Sequence, residues 1–137
     1  MIAIQVHKRK VRIDGKSRVF TAKQGWHEIN AKKYFFRSNW EKQYAYYLEW
    51  LRNNNVIKAW EHEPEVFWFN EIKRGVRSYC PDFKITNPDG SHYWVEVKGY
   101  MDAKSKTKIR RFRKYYPQEK LVIIDKEWFE KNYGKKS

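Results

Sequence analysis

At 137 residues the chain is long enough for one compact core and too short for a second independent one. Thirty Lys and Arg against sixteen Asp and Glu leave a formal charge of +14, which suits a polyanionic partner, and 18 % aromatic content excludes a disordered basic tail. A lone cysteine, Cys80, excludes an internal disulfide, the histidines (His7, His27, His62, His92) lack zinc-ligand spacing, and no apolar run is long enough for a signal peptide or membrane span, so a reducing cytoplasm is expected.

Residues 2–21 alternate around Asp14-Gly15, a strong short-range hairpin signal. The cations there (Lys8, Lys10, Arg12, Lys16, Arg18) read as a solvated face, with a DNA-binding arm as the rival reading. Residues 26–36 read as a short extended segment. Ser38-Asn39-Trp40-Glu41 is a capping box, Ser38 accepting from first-turn amides and Glu41 reaching back, and Trp40, Tyr44, Tyr47, Leu48 and Leu51 follow at helical spacing as the expected buried stripe. Asn53-Asn54-Asn55 ends that helix.

Residues 56–69 read as a strand interrupted at Pro64, at an edge or a bulge. Glu61, His62, Glu63 and Glu65 make it the most acidic stretch of a basic protein; a solvated strand face is the plain reading, and a lone His62 is more simply packed or exposed than a general base. Residues 72–75 form a turn and 76–86 the first strand of a central hairpin. Arg74 and Arg77 are suited to phosphate contact or to simple exposure. Beyond Lys98, Asp102 is expected to cap a helix running to Tyr116, with Ile109, Phe112 and Tyr116 apolar and Lys104, Lys106, Lys108, Arg110, Arg111, Arg113 and Lys114 around the rest. Such a density of cations favours a DNA-facing helix over an ordinary solvated one. Residues 121–124, all apolar, read as a buried central strand beside the hairpin, and Asp125 as the cap of a last helix over residues 126–133, before a loose basic end.

The central hairpin carries the chemistry. Asn87-Pro88-Asp89-Gly90 suits a type I turn closed by a left-handed glycine, the three-residue hairpin loop. With Pro88, Asp89 and Gly90 as the loop, Asn87 faces Ser91 and Asp82 falls opposite Glu96. Alternation then puts Asp82, Glu96 and Lys98 on one face and Phe83, Ile85, Val95 and Val97 on the other, apolar one. Two facing acids call for a compensating cation, either a divalent metal or the neighbouring lysine. A salt-bridged cross-strand cluster is the plain alternative, but such pairs contribute only roughly 0.2–1 kcal/mol.

Pro81-Asp82 followed by Glu96-Val97-Lys98 resembles the signature of the PD-(D/E)xK nuclease superfamily, and residues 37–51 and 97–112 on either side resemble small phage-type nucleases of that superfamily, with Holliday-junction resolvases similar in size and charge. The resemblance implies a restriction-endonuclease-like α/β core: helix, three-stranded antiparallel meander, helix, strand. The whole chain, 1–137, is then one nuclease domain, with an added N-terminal β-hairpin (1–25), the core (26–125) and a C-terminal helix and basic tail (126–137). It implies Asp82, Glu96, Lys98 and Glu41 as catalytic residues, and Mg2+, replaceable by Mn2+, held by Asp82, Glu96 and the Val97 carbonyl. Glu41 is equally a capping residue, and Glu63 is either near the metal or solvated. Arg74, Arg77, Lys104, Lys106, Lys108 and Arg111 are the expected DNA contacts. The implied function is endonucleolytic hydrolysis of DNA, branched (a Holliday junction, in recombination) or double-stranded, with a homodimer cutting two strands as one arrangement open to it and host cytoplasm as the setting if phage-encoded. Transposase-type or homing endonucleases of the same superfamily, a sequence-guided enzyme and a non-catalytic basic nucleic-acid-binding module are the alternatives.

Overall fold

A computed structural model describes residues 24–133; the hairpin expected at residues 2–21 and the basic end at 134–137 lie outside the described residues. The chain divides into two compact units, Met1–Ile57 and Lys58–Ser137.

In the first unit, β1 (Gly25–Ile29) and β2 (Lys32–Phe36) pair antiparallel, Gly25 opposite Phe36 and Ile29 opposite Lys32. The sequence read this stretch as merely extended because its turn lacks the usual glycine: Asn30 and Ala31 both take left-handed φ values, 52° and 66°, the two-residue turn whose twist matches paired strands. Ile29 and Phe36 are buried. Helix α1 (Asn39–Asn53) follows, with Ser38 Oγ accepting from the Glu41 amide at 3.1 Å. Glu41 reaches one residue further back than in the usual capping box, its Oε1 accepting from the Arg37 amide at 2.7 Å. The helix stops at Asn54, and Asn55 takes φ 60°. The buried face is rotated from the expected stripe: Glu41, Lys42, Gln43, Tyr44, Ala45 and Leu48 are buried, whereas Trp40, Tyr47 and Leu51 are half-buried.

The second unit holds a four-stranded sheet in the order β3 (Ala59–His62), β6 (Phe83–Thr86), β7 (His92–Val97), β8 (Leu121–Ile124). The first three are antiparallel and β8 runs parallel to β7. Along the chain the order is helix, antiparallel meander, helix, parallel strand, the restriction-endonuclease-like α/β core that the resemblance implies. A separate ribbon, β4 (Phe67–Trp68) with β5 (Ser78–Tyr79), interrupts the meander. Residues 56–69 are therefore two strands in different sheets, and residues 76–86 are two strands broken at Pro81, where the missing N–H ends pairing. Helix α2 (Ala103–Tyr115) is capped by Asp102, whose Oδ1 accepts from the Ser105 amide at 2.7 Å. Asp125 caps α3 (Lys126–Tyr133) through the Trp128 amide at 3.2 Å. Strand β8 lies at the sheet edge among the described residues, not at its centre; its apolar run reflects burial of Leu121 and Ile124.

Both sheet faces are buried, since the successive residues Trp94 and Val95 are 1 % and 0 % exposed. Ile109 and Phe112 of α2 pack with Trp94, Leu121, Phe67, Phe69 and Tyr79. The face expected to carry Asp, Glu and Lys also carries Trp94 and Leu121, buried in the cluster with α2, beside the polar pairs Glu61–Lys84 and Thr86–His92. No helix among the described residues is long and apolar enough to cross a membrane.

Two outcomes follow from the first unit. Ala31→Gly removes left-handed strain of about 1–2 kcal/mol while adding about 0.5–1 kcal/mol of unfolded-chain entropy, so chemical denaturation will show a small net stabilisation. Burial, with the Lys42 charge adding to it, holds the His27 imidazole down at about 4. A folded value below the unfolded one makes protonation favour the unfolded chain, so stability is full above about pH 6.5 and declines as pH falls towards 4. NMR titration of His27 checks this, and Lys42→Met will raise the midpoint.

Candidate active site

The β6–β7 turn sets the register that places Asp82 against Glu96. The Gly90 amide donates to the Asn87 carbonyl at 2.9 Å, the Asn87 amide donates to the Ser91 carbonyl at 2.8 Å, and Gly90 takes φ 90°. Asp89 Oδ1 accepts from the Ser91 hydroxyl at 2.6 Å and amide at 2.9 Å, bonds that hold its carboxyl below the usual range. The register that follows pairs Phe83 with Val95, and one step further out Asp82 stands opposite Glu96.

On the other side of β6, His62 pairs with Phe83, and the Glu63 amide donates to the Asp82 carbonyl at 2.8 Å. Glu63, Asp82 and Glu96 thus occupy one level across three neighbouring strand lines. Glu63 takes φ 49°, a left-handed backbone that costs a non-glycine residue about 1–2 kcal/mol, immediately before Pro64, which itself disfavours a right-handed helical conformation there. His62 belongs to the opposite, apolar side: its ring lies 5.3 Å from that of Phe83, and Nε2 is 3.9 Å from Glu63 Oε2.

Each central carboxylate has a fixed donor. The Val97 amide donates to Asp82 Oδ2 at 2.8 Å, and the Tyr79 hydroxyl donates to Glu96 Oε1 at 2.6 Å. Tyr79 is 4 % exposed and edge-on to Phe112 at 5.4 Å. Burial, reinforced by the Glu96 charge, pushes its phenol far above the ordinary range, so the hydroxyl remains a donor. Nothing in the local pattern marks Tyr79 out, because the chain kinks at Pro81 between it and the Asp82 strand. Lys98 follows Glu96 by two positions on the same face, and its amide continues the parallel ladder to the Ile124 carbonyl at 2.9 Å. The Asp102 carboxyl is held below its usual range mainly by its bonds to Ser105, with the Lys98 and Lys108 charges adding to the effect. Chemically, Asp82 and Glu96 offer hard carboxylate oxygens, which suit Mg2+ or Mn2+, whereas the Glu63 carboxylate lies towards His62. Glu41 lies in the first unit, where the Arg37 amide engages it.

Among the expected DNA contacts, Arg74, Arg77, Lys104 and Lys106 are exposed and Lys108 is half-buried. Arg111 departs from the expectation: its guanidinium donates to the Val76 carbonyl and ties α2 to the chain leading into β5. Arg113 likewise donates to the Leu121 carbonyl at 3.1 Å. A count of helix cations cannot distinguish such ties from solvent-facing charge.

Residues 20–131 match the family described as "Protein of unknown function (DUF1064)". The chain is also similar to the head completion nuclease of Enterobacteria phage T4, at 35 % identity over 68 residues, 49 % of this chain and 43 % of that protein. The match thus spans less than half the length of this curated relative. No solved structure matches.

Removing the donor to Glu96 while keeping the ring isolates its contribution. Tyr79→Phe will lower stability by roughly 1.5–3 kcal/mol, the range for a hydrogen bond to a charged group. Tyr79→Leu will cost more, because the packing on Phe112 goes as well; urea denaturation of the two variants measures the difference.

Proposed function

The chain belongs to the DUF1064 family, and on that premise we propose that it is a metal-dependent DNA endonuclease that hydrolyses phosphodiester bonds, with branched DNA such as a four-way junction as its substrate. The observation that carries this reading is the shared level of Glu63, Asp82 and Glu96, with Lys98 one alternation further along the same face. Two facing acids on adjacent strands repel one another, and a strained Glu63 at their level adds to the cost. A fold selected for stability alone has little reason to keep them together. Similarity to a phage protein named as a nuclease supports the same reading.

In this proposal Asp82, Glu96 and the Val97 carbonyl hold Mg2+, with Mn2+ able to replace it. Glu63, and Glu41 by its resemblance to the superfamily's helix acid, complete the acidic set. The ion when bound supplies polarisation of the phosphate, a lowered pKa for water and neutralisation of charge. The chain's own residues do the rest. The Val97 amide and the Tyr79 hydroxyl orient the two central carboxylates. The Lys98 ammonium orients the attacking water and stabilises charge building on the phosphate oxygens. Arg74, Arg77, Lys104, Lys106 and Lys108 hold the strand by its phosphates, which makes binding salt-dependent.

Preference for branched DNA is supported by the charge distribution: a cationic helix beside the acids reads backbone shape and charge more readily than base edges. A homodimer would cut two strands, and the host cell cytoplasm is the corresponding setting.

Cleavage of labelled linear, nicked, flap and four-way substrates in Mg2+ and Mn2+ tests the proposal. Asp82→Ala and Lys98→Ala will each lower the rate by about 100-fold or more, the scale for losing one group that stabilises developing charge. Metal-dependent cleavage that survives Asp82→Ala removes the proposed centre. Equal cutting of linear duplex and four-way junction at matched salt removes the structure-specific part alone.

A further inference from the structure

We propose that Trp68, on the β4–β5 ribbon, is a stacking site for an unpaired nucleobase of the strand being cut; the strand's course past the acids rests on the nuclease reading, but the stacking site itself does not. Trp68 alternates with Phe67 and Phe69, which are 5 % and 1 % exposed, yet is itself 55 % exposed. Two buried neighbours fix the backbone and turn the indole outward.

The platform is rigid. Trp68 pairs with Ser78, the Phe69 amide donates to the Arg77 carbonyl at 2.9 Å, and the Tyr116 hydroxyl at the end of α2 donates to the Trp68 carbonyl at 2.6 Å. The Arg111 bond to the Val76 carbonyl secures the opposite strand. An indole held in this way loses little backbone entropy when a base stacks on it.

Charge and position point to nucleic acid. The connection between β4 and β5 carries exposed Lys73, Arg74 and Arg77 against Glu71, three cations to one acid. Ser78, the partner of Trp68, is four residues before Asp82, a span of at most about 14 Å, and paired strands lie about 5 Å apart. The base of the Trp68 side chain is therefore within about 20 Å of Asp82. The same strand, through Tyr79, holds Glu96. One short ribbon thus holds Glu96 through Tyr79 on its inner side and turns an aromatic face outward, with exposed cations in the connection between its two strands.

A protein partner fits less well. The exposed large apolar residues of this stretch are Val66 and Trp68, and a tryptophan supplies at most about 250 Å², against roughly 800 Å² per partner in a specific interface. A base needs only the ring face, and an unpaired base is free to reach it; a base inside a duplex is not.

The test is binding without cleavage. In EDTA, fluorescence anisotropy compares the full chain on a labelled duplex carrying unpaired bases with a fully paired duplex of equal length. Trp68→Ala will weaken binding to the first by roughly tenfold or more, the scale for one stacked base, and leave the second unchanged. Trp68→Phe will retain most of the preference, and Trp68→Leu, which keeps apolar bulk without a π-face, will lose it. Circular dichroism melting verifies that each variant folds. Equal loss on both duplexes, no loss on either, or a lower sedimentation mass for Trp68→Ala (a self-association surface) overturns the proposal. Because no metal is present, an absence of nuclease activity leaves this result standing, and a nuclease whose binding ignores Trp68 defeats the stacking site alone.

Discussion

The turn over Pro88, Asp89 and Gly90 is the constraint on which the rest of the site depends. Strand side chains alternate, so a loop one residue longer or shorter would send either Asp82 or Glu96 to the apolar side with Phe83 and Val95. The turn resists that slip in three ways: Gly90 supplies the left-handed backbone, Asn87 and Ser91 close the last pair, and Asp89 binds both polar groups of Ser91. Once β6 and β7 are in register, β3 joins the other edge of β6 and brings Glu63 to the level of Asp82.

Bringing acids together in this way costs energy, and the structure offsets part of it locally. The Val97 amide and the Tyr79 hydroxyl stabilise the ionised forms. Tyr79 in turn is held by Phe112 of α2, whose neighbours Ile109, Trp94 and Leu121 make up the same apolar cluster. Helix α2 therefore acts on two sides. Its apolar side supports the group that orients Glu96, while its outer side carries the exposed lysines. The β4–β5 ribbon, tied to the helix by Tyr116 and Arg111, links the two sides.

Much of this was legible in the residues taken in order. Ser38, Asp102 and Asp125 cap helices where the capping rules put them, and Asn87 to Gly90 makes the turn that its residue types require. These are features in which a side chain acts within four or five positions of itself, so the cause lies inside the window being read. The β1–β2 hairpin escaped notice because Ala31 occupies a left-handed position that ordinarily calls for glycine. The β4–β5 ribbon escaped because its strands are two residues long, and too few alternations are present to reveal a period.

What the sequence by itself determined is the local grammar: the caps, the turn, the α/β order and the register that sets Asp82 against Glu96. Only the tertiary structure decided that Glu63 joins their level, that Tyr79 holds Glu96, that Arg111 binds a carbonyl, that β8 lies at the sheet edge and that Trp68 faces outward beside a buried ribbon. Each of these depends on residues 17 to 48 positions apart or on which strands become neighbours. Such contacts are selected by the packing of whole elements, which no local pattern encodes.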